Sequence, residues 1–248
     1  MAVVDTSPMQ SPDRILDAAG PEPARSAPET DDDVRLQPDH TWRLLTASRW
    51  ELAAKRTLDV VGSAVALVLL SPLLLVTALA ILTAPRGGVL YRQVRVGRDG
   101  RPFTMLKFRT MQPGAHALMP GYEALNELDG PIFKIRRDPR ITRAGRTIRT
   151  FSIDELPQLV NVLRGDMSLV GPRPLVPEEY RGLDARWRAR LLATPGLTGA
   201  WQAGGRCDVD IQRWMELDLG YIRDWSLGLD LRILVRTVPA VLLARGSY

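Results

Sequence analysis

An uncharged run of 25 residues, residues 60–84, is the feature that most constrains what this chain can fold into. A run of this length can cross a bilayer as one helix. Ser71-Pro72 interrupts it at the midpoint, however, and a proline inside a helix removes a backbone hydrogen bond and kinks or breaks the helix. Each arm then holds about 12–13 residues, or roughly 19 Å of helix, which is short of the roughly 30 Å hydrocarbon core.

Basic residues flank the uncharged run on both sides. Because Lys and Arg favour the cytoplasmic side of a membrane, both ends are expected there. The pattern predicts a re-entrant helix over residues 46–86 that enters one leaflet, breaks at Ser71-Pro72 and returns. A single spanning helix that tolerates a kinking proline remains the alternative. The flanking cations are Arg49, Lys55, Arg56, Arg86, Arg92, Arg95 and Arg98.

The charge of the chain is unevenly distributed. Residues 1–40 carry nine acidic residues and three arginines, and they are rich in Pro, Ala and Ser. Such a segment buries too little apolar surface to offset the entropy of ordering, so residues 1–45 are predicted to form a disordered acidic tail. The rest of the chain has a net charge of +11. A basic body favours an acidic partner, which is a nucleic acid, an anionic membrane or a phosphorylated substrate.

The remaining pattern predicts an α+β fold that is mainly helical. Apolar and polar residues alternate on both sides of a turn at residues 97–100, as is typical of a β-hairpin. The three prolines of residues 171–177 require an extended path. The single cysteine, Cys207, excludes an internal disulfide framework and a cysteine-rich zinc site. Helical patterns cover residues 154–163, 177–193, 210–226 and 229–245.

The last two helical patterns, residues 210–226 and 229–245, are amphipathic. Arg232 and Arg236 share one face at the spacing of one helical turn. A basic face opposite Leu and Val suits an interfacial helix that lies on a membrane surface. Packing of the apolar face onto the protein's own core is the alternative.

The stretch FSIDELPQL contains two adjacent carboxylates, Asp154 and Glu155. Pro157 is tolerated only in the first turn of a helix, and Ser152 and Glu155 have the spacing of a capping box. This pair is therefore either a helix start or a reactive dyad. As a dyad at a helix N-terminus near arginines, Asp154 is expected to have a depressed pKa and to stay ionised. An ionised aspartate can attack phosphorus, and two carboxylates together with a diphosphate suit Mg²⁺.

Cations are concentrated between residues 107 and 173. Planar guanidinium groups bind phosphate with paired hydrogen bonds. Arg173 lies between Pro172 and Pro174, on backbone with little freedom, and such a support loses little entropy when a phosphate binds. Any single arginine in this region is otherwise a solvated surface cation.

Several segments resemble the bacterial sugar transferase family, whose members are monotopic polyprenyl-phosphate phosphoglycosyl transferases. The resemblance covers about residues 50–248. In that family a sugar-1-phosphate passes from a UDP-sugar to polyprenyl phosphate in the inner leaflet, with release of UMP, at the start of capsule, exopolysaccharide or O-antigen synthesis. The segments that carry it are KRTLDVVGSAVALVLLSPLLL, YRQVRVGRDGRPFTMLKFRTM, DPRITRAGRTIRTFSIDELPQLVNVLRGDMSLVGPRP, PGLTGAWQAGGR and WSLGLDLRILVRTV.

The resemblance implies a role for each matching position. Asp154 is implied as the nucleophile that forms a phosphosugar–enzyme intermediate, and Glu155 as its assistant through Mg²⁺ or proton transfer, so that both are candidate metal ligands. The family's helix break falls on Ser71 and Pro72. The implied substrate-phosphate contacts are Lys107, Arg149 and Arg173, and the implied nucleotide-sugar pocket includes Gln202 and Arg206, beside Trp201 and Gly205.

The resemblance also implies an organisation. Residues 1–45 would be the tail, residues 46–86 the membrane-embedded re-entrant helix, and residues 87–248 the catalytic domain on the cytoplasmic face of the cell membrane. The implied partners are a UDP-sugar, polyprenyl phosphate, Mg²⁺ and the inner leaflet, without nucleic acid, and a homodimer is a possible assembly. Larger family members carry several spanning helices ahead of the catalytic part, whereas a polar tail is expected here.

Two other classes of function compete on the residues alone. A membrane-tethered nucleic-acid binder would use the basic body to bind phosphates, with steeply salt-dependent affinity. A single-pass scaffold protein would use Asp154 only as a helix cap. Because Asn caps a helix about as well as Asp, Asp154→Asn separates these classes from the enzyme: only the enzyme loses its activity while it keeps its fold.

Overall fold

The computed structural model of the 248-residue chain describes residues 42–83, 88–115, 117–126, 135, 138–204 and 210–243. These residues form the mainly helical α+β fold that the sequence predicts. The α-helices are α1 (Arg49–Leu69), α2 (Ser71–Leu82), α3 (Arg143–Thr150), α4 (Gln158–Arg164), α5 (Pro177–Arg181), α6 (Ala200–Ala203), α7 (Ile211–Arg223) and α8 (Leu227–Leu242). The strands are β1 (Leu90–Val96), β2 (Pro102–Phe108), β3 (Ser168–Val170) and β4 (Gly196–Thr198).

The strands form two small sheets. β1 and β2 pair antiparallel, from Leu90 opposite Phe108 to Val96 opposite Pro102, which confirms the predicted hairpin. Its connection is a 3-10 turn in which Asp99 has a φ of 56°, the left-handed conformation that aspartate tolerates better than most residues. β3 and β4 pair in parallel. This second sheet was not predicted, because strands of three residues are too short to show an alternation of apolar and polar residues.

The helix is interrupted between α1 and α2 at the predicted position. α1 ends at Leu69, and Ser71 and Pro72 open α2, where the missing proline N–H leaves no hydrogen bond unmade. The Ser71 hydroxyl donates to the Val68 carbonyl at 2.8 Å. The two helices are bent by 62°. Within the described residues no single helix is long and apolar enough to cross a membrane, whereas this bent pair together has the necessary length and composition.

The bent pair exposes an unusual amount of apolar surface. Val68 and Leu69 are each 72% exposed, at the break. Soluble proteins rarely leave such contiguous apolar patches in water, and large ones mark interaction sites. The other large apolar side chains that α1 and α2 expose are Trp50, Leu52, Val60, Val61, Val65, Leu73, Leu75, Val76, Leu79 and Leu82.

Polar contacts fasten α1 to the rest of the fold. The Lys55 ammonium donates to Asp230 Oδ2 on α8 at 2.8 Å. The Arg56 guanidinium donates to the carbonyls of Val162 and Leu163 at the end of α4, where helix carbonyls lack intrahelical partners. The central core lies between these elements, and its buried members include Val162, Met167, Leu169, Ile222, Trp225 and Ile233.

Helix α8 has one face packed on the core and another face exposed. Ile233 and Ala240 are buried against the core, whereas Val235 and Val238 are exposed together with Arg236. The face on the core confirms the alternative of internal packing. The exposed apolar and basic residues keep the interfacial prediction open.

Two predicted helices were wrong in extent. Residues 153–155 form a 3-10 turn, and α4 begins only at Gln158, because Pro157 sits at the N-cap rather than inside the helix. The pattern over residues 177–193 is divided into α5 and a 3-10 helix, Ala185–Leu192. Gly182 ends the first piece, and Asp184 caps the second by accepting from the Arg186 amide at 3.0 Å.

The boundary of the predicted tail also needs correction. Residues 42–45 belong to the folded body, since the amides of Arg43 and Leu44 donate to the carbonyls of Arg223 and Ile222 at 3.0 and 3.1 Å. Leu44 is buried in the main core. Residues 1–41, on which the prediction of disorder falls, lie outside the described residues.

Candidate active site

Four elements meet around the adjacent carboxylates. The 3-10 turn Ile153–Glu155 carries Asp154 and Glu155. Strand β2 contributes Lys107, helix α3 contributes Arg149, and the extended segment between β3 and α5 contributes Arg173. The structure therefore brings together five of the residues that the sequence singled out.

The turn itself is created by a reversal of the chain after α3. Ser152 has a φ of 54° in the left-handed region, which is uncommon for a residue other than glycine. The Ser152 amide donates to the Arg149 carbonyl at 2.9 Å, and the Glu155 amide donates to the Ser152 carbonyl at 3.1 Å. The Ser152 side chain makes no capping hydrogen bond. The capping box suggested for Ser152 and Glu155 is therefore wrong.

Among the described residues, two cations pair with Glu155. Its Oε1 accepts from the Lys107 ammonium at 2.8 Å and from the Arg173 guanidinium at 3.2 Å. Burial lowers the pKa of Lys107, although the charge of Glu155 opposes that shift. Burial also acts to lower the pKa of Arg173, but Glu155, Glu179 and Asp154 together outweigh burial and the pKa is raised. Glu155 therefore holds both cations in place.

Asp154 is arranged differently from its neighbour. It is buried, and within the described residues its carboxylate takes part in no hydrogen bond or ion pair. Burial raises the pKa of Asp154, while the charge of Lys107 acts in the opposite direction. The expected depression of this pKa is wrong, because desolvation of the carboxylate outweighs the nearby cations. Asp154 is therefore the carboxylate of the dyad that no cation of the described residues engages.

Arg149 is held by a buried threonine that the sequence analysis missed. Its Nε donates to the Thr110 hydroxyl at 2.9 Å, and Thr110 is 4% exposed. The other nitrogens of this guanidinium make no hydrogen bond to the described residues. Arg149 can therefore present its remaining N–H groups to an anion.

The Pro-Arg-Pro segment is fixed from two sides. The Arg190 guanidinium donates to the Arg173 carbonyl at 2.7 Å, and it is itself paired with the buried Asp218. Arg95 on β1 donates to the Pro174 carbonyl at 3.0 Å. Burial lowers the pKa of Arg95 to about 10. Neither Arg95 nor Arg190 was predicted to support Arg173, because a sequence gives no signal for a side chain that binds a distant carbonyl.

Gln202 lies close to Gly171, the residue that precedes the Pro-Arg-Pro segment. A Cβ atom at Gly199 would stand 2.9 Å from Gln202 Oε1 and 2.4 Å from the Gly171 carbonyl, so the three residues are in close contact. Gln202 is 2% exposed, and both polar atoms of its amide lack a hydrogen-bond partner among the described residues. Buried polar groups are normally paired, so this amide is a candidate for contact with a bound molecule. Gly205 and Arg206 fall outside the described residues.

The residues present fit a divalent cation only in partnership with a substrate. No group of three or more His, Cys, Asp or Glu side chains that could hold a metal occurs in the described ranges. Asp154 and Glu155 supply two carboxylates, and no cation of the described residues pairs with Asp154. Mg²⁺ commonly takes one or two carboxylates together with substrate phosphates and water, which agrees with this donor set.

Comparison with known proteins adds a family match. The pattern of the family described as "Bacterial sugar transferase" matches residues 50–244. This range includes the bent helix pair from its second residue onward and every described residue of the site.

Individual relatives match over most of the chain. The exopolysaccharide production protein ExoY of Rhizobium meliloti is 42% identical over 199 residues, which cover 79% of this chain and 88% of that protein. The UDP-glucose:undecaprenyl-phosphate glucose-1-phosphate transferase of Caulobacter vibrioides is 45% identical over 202 residues, covering 78% of this chain and 72% of that protein. The undecaprenyl-phosphate galactose phosphotransferase of Salmonella typhimurium is 42% identical over 212 residues, which cover 82% of this chain and 43% of that protein.

Proposed function

This chain belongs to the bacterial sugar transferase family, and on that premise we propose that it is a phosphoglycosyl transferase that moves a sugar-1-phosphate from a UDP-sugar to a polyprenyl phosphate. The names of its relatives support the acceptor, since the Salmonella and Caulobacter proteins are both transferases to undecaprenyl phosphate. The name of the Caulobacter protein supports the donor. The similarity to ExoY favours a place at the start of exopolysaccharide synthesis.

The single observation that carries the proposed chemistry is the contrast between the two carboxylates. Glu155 is occupied by Lys107 and Arg173, whereas Asp154 is buried and unpaired within the described residues. A helix cap would accept a hydrogen bond from a backbone amide, and Asp154 accepts none. This carboxylate therefore fits the role of a nucleophile.

The first half-reaction uses Asp154 as that nucleophile. A carboxylate oxygen attacks the phosphorus that carries the sugar, and the bond from this phosphorus to the oxygen shared with UMP breaks. UMP leaves with the electron pair, and the sugar phosphate stays on Asp154 as an acyl phosphate. Arg149 and Arg173 bind the phosphate oxygens and offset the charge that repels the attack.

The second half-reaction restores the enzyme. A phosphate oxygen of the polyprenyl phosphate attacks the same phosphorus, and the bond to Asp154 breaks and returns the carboxylate. The product is a polyprenyl diphosphate sugar, and the sequence of steps is ping-pong. Asp154 and Glu155 are the residues that would hold Mg²⁺, which supplies positive charge to the diphosphate when it is bound.

The bent helix pair supports a location at the membrane. Its exposed apolar side chains, among them Val68, Leu69 and Val76, suit the hydrocarbon of one leaflet, and both outer ends are followed or preceded by cations. We place α1 and α2 as a re-entrant helix in the inner leaflet of the cell membrane, with the catalytic part on the cytoplasmic face. This position gives the site access to a lipid-linked acceptor.

The donor pocket is proposed to extend from Arg173 towards Gln202. The unpaired amide of Gln202 can both donate and accept hydrogen bonds, as recognition of a nucleotide or a sugar hydroxyl requires. We include Arg206 in this pocket only because its segment, PGLTGAWQAGGR, resembles the family.

The experiment that tests the function measures UMP release from a panel of UDP-sugars by purified protein with Mg²⁺ and polyprenyl phosphate. Wild-type protein is expected to release UMP from at least one donor, and Asp154→Asn is expected to release none while its thermal unfolding is unchanged. If Asp154→Asn still released UMP, Asp154 would not be the nucleophile. Salt-sensitive binding to unrelated DNA duplexes without UMP release would favour the nucleic-acid binder.

A further inference from the structure

We propose that Asn161 is a positioning residue that keeps Lys107 in contact with Glu155. This inference rests on the proposed function of the dyad. It concerns a residue of α4 whose side chain contacts the backbone of β2 and acts through it. The geometry of its side-chain amide carries the inference.

The amide of Asn161 occupies the free edge of β2. Asn161 Oδ1 accepts from the Leu106 amide at 3.0 Å, and Asn161 Nδ2 donates to the Thr104 carbonyl at 2.7 Å. The two backbone groups lie two residues apart, which is the spacing that a neighbouring strand engages. β1 pairs with the other edge of β2. The Asn161 side chain thus makes the pair of hydrogen bonds that the backbone of a third strand would otherwise make.

The orientation of this amide is also fixed. Its Nδ2 donates a second hydrogen bond to Asp166 Oδ2 at 3.1 Å. The backbone carbonyl of Asn161 accepts from the Gly165 amide at 3.1 Å, which holds the backbone of this residue. Asn161 is fully buried. A carboxylate would lack the donors, and a hydroxyl would lack the reach to satisfy both backbone groups.

A closed series of covalent links and hydrogen bonds connects Asn161 to the dyad. Glu155 lies at the end of the 3-10 turn, one residue before Leu156 and three before α4 begins. α4 carries Asn161, Asn161 binds Leu106, and Lys107 is the next residue along β2. Lys107 then returns to Glu155 at 2.8 Å. The two strand contacts therefore set where the Lys107 backbone lies relative to the carboxylate.

Loss of the amide is expected to release β2 from α4. The Leu106 amide and the Thr104 carbonyl would then lack their partner, and buried backbone groups without partners are costly. β2 would shift to find other partners, and Lys107 would move with it. Misplacement of a catalytic group by about 1 Å can cost on the order of 10²-fold in rate.

The test compares Asn161→Ala with Val162→Ala. Val162 is the next residue of α4 and is equally buried, but its side chain has no polar contact with β2, so Val162→Ala controls for loss of core packing. Initial rates of UMP release are measured at saturating UDP-sugar, at a temperature where thermal melts show both variants folded. We expect a kcat for Asn161→Ala about 10²-fold below wild type, and a kcat for Val162→Ala close to wild type. If Asn161→Ala does not fold, Asn161→Ser replaces it.

A double-mutant cycle with Lys107→Met separates positioning from a purely structural role. If Asn161 acts through Lys107, Asn161→Ala is expected to lower kcat by less than about twofold in the Lys107→Met background, because contacting residues are not additive. An equal loss in both backgrounds, or equal losses for Asn161→Ala and Val162→Ala, would overturn the inference. Absence of UMP release from wild type would instead reject the proposed function.

Discussion

The ammonium group of Lys107 lies 2.8 Å from Oε1 of Glu155. Arg173 reaches the same oxygen at 3.2 Å, whereas the adjacent Asp154 is paired with neither cation. Two neighbouring carboxylates thus have different environments, and their proposed roles follow from this difference. Glu155 organises the cations, and Asp154 is available to react.

Glu155→Gln is expected to uncouple the cations from the dyad. The amide cannot offset the charges of Lys107 and Arg173, which are largely buried, so we expect the free energy of unfolding to fall by about 1–3 kcal/mol. UMP release should fall by about 10²-fold or more. Urea unfolding and initial rates measure the two effects.

The control for this substitution is Glu178→Gln. Glu178 pairs with Arg181 on the surface, where both side chains are more than half exposed, and such pairs contribute about 0–1 kcal/mol. Its rate should match wild type. Equal rates for Glu155→Gln and Glu178→Gln would show that the Lys107 and Arg173 contacts have no part in turnover.

The rate of UMP release is expected to depend on the ionisation of Asp154. Burial raises the pKa of Asp154 above its ordinary value of 3.8, and only the ionised carboxylate attacks phosphorus. The rate should therefore fall as pH decreases through a range above 3.8. Because Lys107 is the largest influence that lowers this pKa, Lys107→Met should raise it further and move the acid limb to higher pH.

This pH profile is measured as kcat at fixed, saturating Mg²⁺. The matched control is Lys55→Met, since Lys55 pairs with Asp230 instead of the dyad. An acid limb that stays in place in Lys107→Met, or that moves equally in Lys55→Met, would contradict the assignment.

Thr110→Val is expected to weaken binding of the donor. The substitution keeps the shape of the side chain but removes the hydroxyl that accepts from Arg149 Nε at 2.9 Å. Arg149 then loses the contact that orients it, and a hydrogen bond to a charged group contributes enough for the KM of the UDP-sugar to rise about tenfold. Thr147→Val is the control, because Thr147 is exposed on α3, the helix that carries Arg149. A KM that is unchanged in both variants would show that Thr110 does not position Arg149.

The re-entrant topology predicts that both ends of the bent pair face the cytoplasm. Cysteines at Ser48 and Gly88, in a Cys207→Ser background, should react with a membrane-impermeant thiol reagent only from the cytoplasmic side. A side chain at Gly88 meets no atom within 4 Å. Ser48 caps α1, so its replacement costs about 1 kcal/mol. Labelling of the two positions from opposite sides would instead establish a straight span.

The sequence predicted the elements whose signal is local. Pro72 marks the break between α1 and α2, and the Asp99-Gly100 turn marks the hairpin, because each depends on the backbone preferences of one or two residues. The motif residues Asp154, Lys107 and Arg173 were also found, and the structure brings them together. Their assigned roles stay predictions.

The parts that the sequence did not predict depend on distant contacts. Asn161 binds β2 across 55 positions of the chain, and Arg190 binds the Arg173 carbonyl across 17. Neither residue type stands out in its own segment. The raised pKa of Asp154 was missed for the same reason, since burial is set by the packing of the whole site and local sequence shows only the nearby cations.

The most direct test of the central claim is to identify the residue that carries the sugar phosphate. Wild-type protein is incubated with UDP-sugar and Mg²⁺ without polyprenyl phosphate, quenched rapidly in acid and digested, and the peptides are analysed by mass spectrometry. The account predicts a sugar phosphate on Asp154, in the peptide of residues 150–164, with one UMP released for each modified chain. UMP release with this peptide unmodified, or with the sugar phosphate on another residue, would contradict it.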